Sequence, residues 1–436
     1  MANEVERSAR SIKASVVDSD YAWWRLVAAI VMSTAGGVGL WSTVVLLTEV
    51  ESHFGVSRSE ASLPYTAVMT GIMVGNVVMG RVADRFGIVF PVLIGAFCLG
   101  CGFVGAAFAT ELWQYILVQG LLIGGLGTAS TFGPLIASTS LWFLKYRGIA
   151  VALVASGSYA AGTVWPPAVH YFVQTFGWRD AHLIIATICV LVIVPLTLTL
   201  RRPVPKDEPE VTTGGAVVKA KIPPVSLNML QILLVLAGVA CCVAMSMPQV
   251  HIVALCVDYG LSAGLGSQML SVMLFAGVIS RIGFGMLMDR IGALWTLLLS
   301  SSLQALSLLI YIPADSATSL FVASALFGLF QGGIVPTYAV IIRDYFPASQ
   351  AGTRVGLVLS ATIGGMALGG WLSGAIYDVT LSYLPAFLNG FAWNIFNIAI
   401  VVLLMWRGRM PRISMPRPRS LLAEVPLVGR WPGAMG

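Results

Sequence analysis

Charge is what this chain has least of. Asp, Glu, Lys and Arg make up 10% of its 436 residues, where a soluble globular domain carries about 25%. So little charge cannot cover a water-exposed surface, which excludes an ordinary soluble protein. Histidine is scarce too, at four residues. They are scattered, with no H-x4-D pair and no metal-like cluster in the apolar runs, so a membrane-embedded enzyme or metal centre lacks its chemistry. The cysteines (Cys98, Cys101, Cys189, Cys241, Cys242 and Cys256) lie in or at the ends of apolar runs, without the spacing of a disulfide or metal framework. They read as small buried hydrophobes. No glycine-rich phosphate loop occurs, so ATP does not drive the protein directly and no cofactor is called for. Residues 1–22 have no apolar core and no cleavage site, and read as a polar tail rather than a signal peptide.

What the chain has is apolar length. It is 57% hydrophobic throughout, which points to an all-α, polytopic membrane protein. Twelve runs reach the length of a span: 25–50, 60–80, 88–109, 113–141, 148–174, 181–200, 227–257, 263–288, 293–313, 317–343, 352–378 and 384–406. The longest polar interruption, RRPVPKDEPEVTTGGAVVKAKIPP, splits them six and six. The expected organisation is an N-terminal tail (1–24), a six-helix bundle (25–200), a linker (201–226), a second six-helix bundle (227–407) and a C-terminal tail (408–436). The net charge of +6 does not signal nucleic acid, because the basic residues lie between apolar runs and in the tails. Only Arg58 and Arg179 fall in odd-numbered connections, and Arg281 inside a span. The positive-inside rule then places both termini in the cytoplasm, and a plasma (inner) membrane is the expected location. The bilayer is its expected surrounding, and a monomer its expected state.

The two halves repeat a signal. GRVADRFG (80–87) and GMLMDRIG (285–292) both read G-x-x-x-D-R-x-G and follow spans 2 and 8. Gly80 and Gly285 permit close helix approach, and Gly87 and Gly292 a tight turn. Asp84 and Asp289, beside Arg85 and Arg290, supply charges for a cytoplasmic latch that closes in one state and opens in another. Parallel six-helix repeats are the plan of major facilitator transporters.

The wider sequence is similar to that superfamily and, within it, to the monocarboxylate and oxalate/formate carrier group. The resemblance rests on DSDYAWW (18–24), TEVESHFGVSRSEAS (48–62), WFLKYRGIAVALVASGSYAAGTVWPP (142–167), FGWRDA (176–181), SRIGFGMLMDRIG (280–292) and GAIYDVT (374–380). It implies that Arg281, at the position of the group's helix 8 arginine, binds a substrate carboxylate. The chemistry suits that role. A guanidinium stays charged when desolvated and grips a carboxylate with two prongs. An unpaired arginine at that depth costs about 2.5–3.5 kcal/mol on insertion scales. The competing account is a structural arginine bonded to a carbonyl or reaching for the membrane rim.

The departures from the group matter equally. The aspartate one turn before the arginine is replaced by Gly277. The helix 1 lysine position falls near Trp41, and the second cation of oxalate-type carriers falls near Thr362. One carboxylate per substrate is therefore expected, and proton coupling, by symport or antiport, would need other groups. His251 and His170 titrate in the right range. Tyr65, Gln119, Ser156, Tyr159, Trp165, Gln331, Tyr338 and Trp371 are candidates for a cavity lining. Pro166 and Pro167 are expected to break span 5. The leading expectation is a carrier of a small organic monocarboxylate anion by alternating access. An exporter of drugs or metabolites and a transporter-like ligand sensor are the alternatives.

Overall fold

The computed structural model describes residues 17–143, 146–202 and 225–409. The linker and both tails, as delimited above, lie largely outside these described residues. Among them, twelve helices are long and apolar enough to cross a membrane. They are α1 (Asp20–Val45), α2 (Arg58–Phe86), α3 (Val89–Ala107), α4 (Leu112–Ser140), α5 (Ile149–Phe176), α6 (Trp178–Leu200), α7 (Leu227–Asp258), α8 (Ala263–Ile291), α9 (Ala293–Ile310), α10 (Ala317–Tyr345), α11 (Thr353–Thr380) and α12 (Leu384–Arg407).

Local chemistry sets their ends. Ser19, Ser226 and Ser262 each accept a hydrogen bond from a backbone N–H of the first turn, which satisfies a donor that has no partner inside the helix. Ser57 and Glu60 form a reciprocal capping box at the start of α2. The two motif glycines, Gly87 and Gly292, turn the chain with φ of 78° and 83°, values that L side chains rarely adopt. Span 1 ends earlier than its apolar run. The chain turns at Leu46 into a separate helix, Leu47–Phe54, so Glu49 belongs to the connection.

The packing repeats as the sequence does. In the first half α2 packs on α4, α3 on α6 and α1 on α5; in the second α8 packs on α10, α9 on α12 and α7 on α11. Between halves, α2 meets α11 and α5 meets α8. Exchanging the halves maps one of these contacts onto the other, so two six-helix bundles are related by an approximate twofold. Glycines make the closest crossings. Gly71 and Gly75 lie directly against the backbone at Gly120 and Gly125, where α4 contains a π-helical stretch, Gln119–Thr128. Gly365 and Gly369 do the same for α11 on α7.

The bundles touch over only half their length. We call the face where α1 begins the near face, and its opposite the far face. From the far face to mid-depth, α5 and α8 meet at His170 with Gly264, Thr163 with Ser271, Gly162 with Leu274 and Tyr159 with Gly277. α2 and α11 meet through Thr66, which donates to the Ala367 carbonyl at 3.0 Å, and through Tyr65 on Gly370. Nearer the near face, a Cβ added to Gly80, Gly283, Gly285, Gly356 or Gly364 would meet nothing within 4 Å. The inter-bundle contacts just named lie between the far face and mid-depth, and we take the near-face halves to be parted by a cleft that ends there.

Candidate functional site

Arg281 stands where that cleft ends. It is half-buried and crosses from α8 to α5. Its Nη1 donates to the Ala155 carbonyl at 3.3 Å, and its guanidinium lies 3.9 Å from the centre of the Tyr159 ring. Both partners follow from local backbone features. α5 is interrupted at Ser156, between Arg147–Ala155 and Gly157–Phe176. There the Tyr159 N–H turns to the Ser156 carbonyl, and the Ala155 carbonyl accepts instead from Ser158 Oγ at 3.1 Å and from Arg281. The Tyr159 ring reaches the guanidinium because residue 277 has no side chain. A Cβ there would fall 2.5 Å from Tyr159 Cε1. The glycine that replaces the resembled group's aspartate is thus filled by an aromatic ring that supports the arginine.

The interruption of α5 differs from the expected one. The helix runs through Pro166 and Pro167. The prolines act on hydrogen bonding: Pro167 has no N–H for the Thr163 carbonyl, and Ser271 of the other bundle donates to it instead.

Around Arg281 are polar atoms without partners. Nε of Arg281, Oγ of Ser280, Nε2 of Gln331 and Oε1 of Gln249 are all buried and unbonded. Gln249 and Gln331 bond each other through their remaining amide atoms at 2.8 Å. Gly332, next in sequence to Gln331, packs on Ser280 and on the Gly277 backbone, which brings α10 against the arginine's turn of α8. Arg281 makes no ion pair among the described residues. One cation and several unsatisfied polar atoms thus lie close together at mid-depth.

The other candidates divide. Tyr65 is buried at the α2–α11 contact with its hydroxyl unpartnered. Trp165 donates to the Thr34 carbonyl at 2.7 Å and belongs to the α1–α5 packing. Tyr338 donates to Asn397 Oδ1 at 3.1 Å, tying α10 to α12. Trp371 is 39% exposed on α11. Gln119 is buried without a hydrogen-bond partner, and Ser156 bonds its own helix. Trp41 donates to the Ser158 carbonyl of α5 and Thr362 to the Leu359 carbonyl of its own helix, so both side chains are already bonded within their own bundles. His170 packs against Gly264. Asp84, Arg85, Asp289 and Arg290 are exposed. Neither motif aspartate is bonded among the described residues, and Gly80 and Gly285 make no close helix approach here, unlike the expectation for them.

A second cluster, invisible to spacing arguments, holds the far face shut. Arg58 of α2 pairs with Asp258 of α7 through both terminal nitrogens at 3.2 Å, and Glu51 lies 2.7 Å from its Nε. Its Nη1 also donates to the Tyr383 hydroxyl at 2.8 Å, and its guanidinium lies over the Tyr377 ring. Asp378 of α11 accepts from the backbone N–H groups of Arg58 and Ser59 at 2.8 and 2.9 Å. Behind this clasp, His251 Nδ1 lies 3.0 Å from the Tyr383 hydroxyl and Nε2 2.8 Å from the Gly370 carbonyl. The carbonyl only accepts, so Nε2 carries the hydrogen, Nδ1 accepts from Tyr383, and the imidazole is neutral.

Comparison with known proteins agrees with this architecture. The chain is 25% identical over 426 residues to monocarboxylate transporter 13 of Rattus norvegicus, covering 94% of this chain and 95% of that one. It is also 25% identical to the agnestins efflux protein AgnL12 of Paecilomyces divaricatus, over 65% of this chain and 64% of that one. The structure of a peptide transporter POT mutant bound to alafosfalin superposes with a TM-score of 0.67 at 13% identity, over 88% of this chain and 95% of that chain, a likeness of fold. Residues 26–280 and 232–420 match the Major Facilitator Superfamily, and the chain belongs to that superfamily.

Proposed function

We propose that the protein is a secondary transporter of a small organic monocarboxylate anion, working as a monomer by alternating access, with Arg281 as the carboxylate anchor. The observation that carries this reading is Arg281 itself. It is a cation at the end of a cleft, held by a carbonyl and a ring, with no carboxylate paired to it among the described residues. An anionic substrate supplies the missing charge. Its carboxylate takes the unbonded Nε and neighbouring donors. Since Tyr159 and the Ala155 carbonyl belong to the first bundle and Arg281 to the second, a bound anion acts at the joint about which the bundles rock. The full-length similarity to a monocarboxylate transporter supports the substrate class. The near face is assigned to the cytoplasm from the distribution of Lys and Arg, and the plasma (inner) membrane is proposed as its location.

The test is uptake into proteoliposomes of radiolabelled mono- and dicarboxylates, comparing wild type with Arg281→Ala and Arg281→Lys, with and without a pH gradient. Entry of a monocarboxylate that both substitutions abolish supports the proposal. A second reading, export of a metabolite, draws on the efflux relative. It predicts that Arg281→Ala transports normally, the arginine then serving only to join α5 to α8.

A further inference from the structure

The far-face clasp gathers more negative charge than it neutralises. Closing that face brings Glu51, Asp258 and Asp378 around the single cation Arg58. The carboxylates are not equally held. Asp258 takes both terminal nitrogens of Arg58, and Asp378 takes two backbone N–H groups. Glu51 has only the Nε of Arg58, whose N–H is not aimed at it. The remaining neighbours offer it no charge. Tyr377 and Tyr383 are phenols, His251 lies behind Tyr383 and is neutral, and Glu60 is turned into its own capping box with Ser57. Tyr259, next to Asp258, lies near a further carboxylate, Asp315.

We infer that the Arg58 clasp is a proton-binding site, with Glu51 taking up one proton from the far-side solution as that face closes. Glu51 and Arg58 belong to the first bundle, and Asp258 and Asp378 to the second. Opening the far face therefore returns Glu51 to water, away from the other two carboxylates. In the closed face, burial raises the Glu51 carboxyl above its ordinary value; Arg58 opposes the rise, and Asp258 and Asp378 add to it. The state with the higher affinity for protons is favoured as pH falls, so acid on the far side holds that face shut and neutral pH releases it. The proton enters and leaves on the same side. It therefore sets which way the transporter faces and does not drive transport. The inference rests on the alternating-access reading proposed above, though not on the substrate.

The test uses the full-length chain in lipid nanodiscs without substrate. Cys101, the exposed one of six free cysteines, is changed to serine. Spin labels are placed at Ser52→Cys and Val379→Cys, exposed far-face positions on opposite bundles. Their distance distribution is recorded between pH 8 and 5. The expected result is a closed-to-open ratio that rises on acidification, by up to about tenfold per pH unit through the titration. Glu51→Gln should give a ratio independent of pH. Asp258→Asn, which removes a charge that raises Glu51, should move the midpoint to lower pH. A flat wild-type profile, an unmoved midpoint in Asp258→Asn, or an unchanged titration in Glu51→Gln overturns the inference. Failure to transport any carboxylate would leave this result untouched, so the two proposals fail separately.

Discussion

Replacing Gly277 by alanine probes the joint between the bundles with a single methyl group. The new Cβ would lie 2.5 Å from Tyr159 Cε1 and 2.7 Å from Cδ1. Carbon atoms in contact prefer about 3.5–4.0 Å, so the ring must retreat by about 1 Å. It has little room, being 9% exposed with the Arg281 guanidinium 3.9 Å from its centre. Forcing a methyl into a packed site costs about 1–3 kcal/mol. Gly277 and Tyr159 sit on opposite bundles, so the cost falls only on the state in which the far face is closed. The closed-to-open ratio should then drop by about 5- to 150-fold. The same pair of spin labels reads it, and substrate affinity should change with it as the ring leaves Arg281. Gly283→Ala, on the same helix with nothing within 4 Å, is the control and should shift nothing. An unmoved distance distribution in Gly277→Ala would refute the claim that this contact helps hold the observed state.

Other consequences follow from the same geometry. Ser271→Ala leaves the Thr163 carbonyl with no donor, because Pro167 cannot supply one; the closed far face should weaken by about 1 kcal/mol, a roughly fivefold fall in the closed-to-open ratio measured by the labels. Arg58→Met strands three carboxylates together without their cation, so the label distances should shift toward the open distribution at neutral pH. Asp84→Asn combined with Asp289→Asn should leave equilibrium substrate binding unchanged, since neither side chain is bonded in this state, while slowing uptake through the latched state.

The fold was legible because its signal is gross. Twelve apolar runs, a polar linker and a duplicated G-x-x-x-D-R-x-G do not depend on any side chain's partner. Arg281 and Tyr159 could each be singled out as polar or aromatic residues in apolar runs. Their pairing could not, because it depends on Gly277 and on the interruption of α5 at Ser156. The two prolines misled in the same way: they freed a carbonyl for a neighbouring helix rather than breaking their own. Tyr338 and Trp165 look like lining residues by type, and only packing reveals that they bond α12 and α1. The far-face clasp escaped notice because Arg58 and its partners are 200 and 320 residues apart. Two clues were present: Arg58 is one of two basic residues in the odd-numbered connections, and Asp258 and Asp378 end apolar runs.

The central claim is that Arg281 recognises a carboxylate charge, and binding measures this without the complications of flux. Once a transported acid is found, its dissociation constant is compared with that of its neutral amide, on wild type and on Arg281→Ala. Loss of one partner of a desolvated, hydrogen-bonded charge pair costs about 2–5 kcal/mol. The account predicts that wild type prefers the acid by about 30-fold or more and that Arg281→Ala binds acid and amide nearly alike. An acid preference that survives Arg281→Ala undiminished would contradict it.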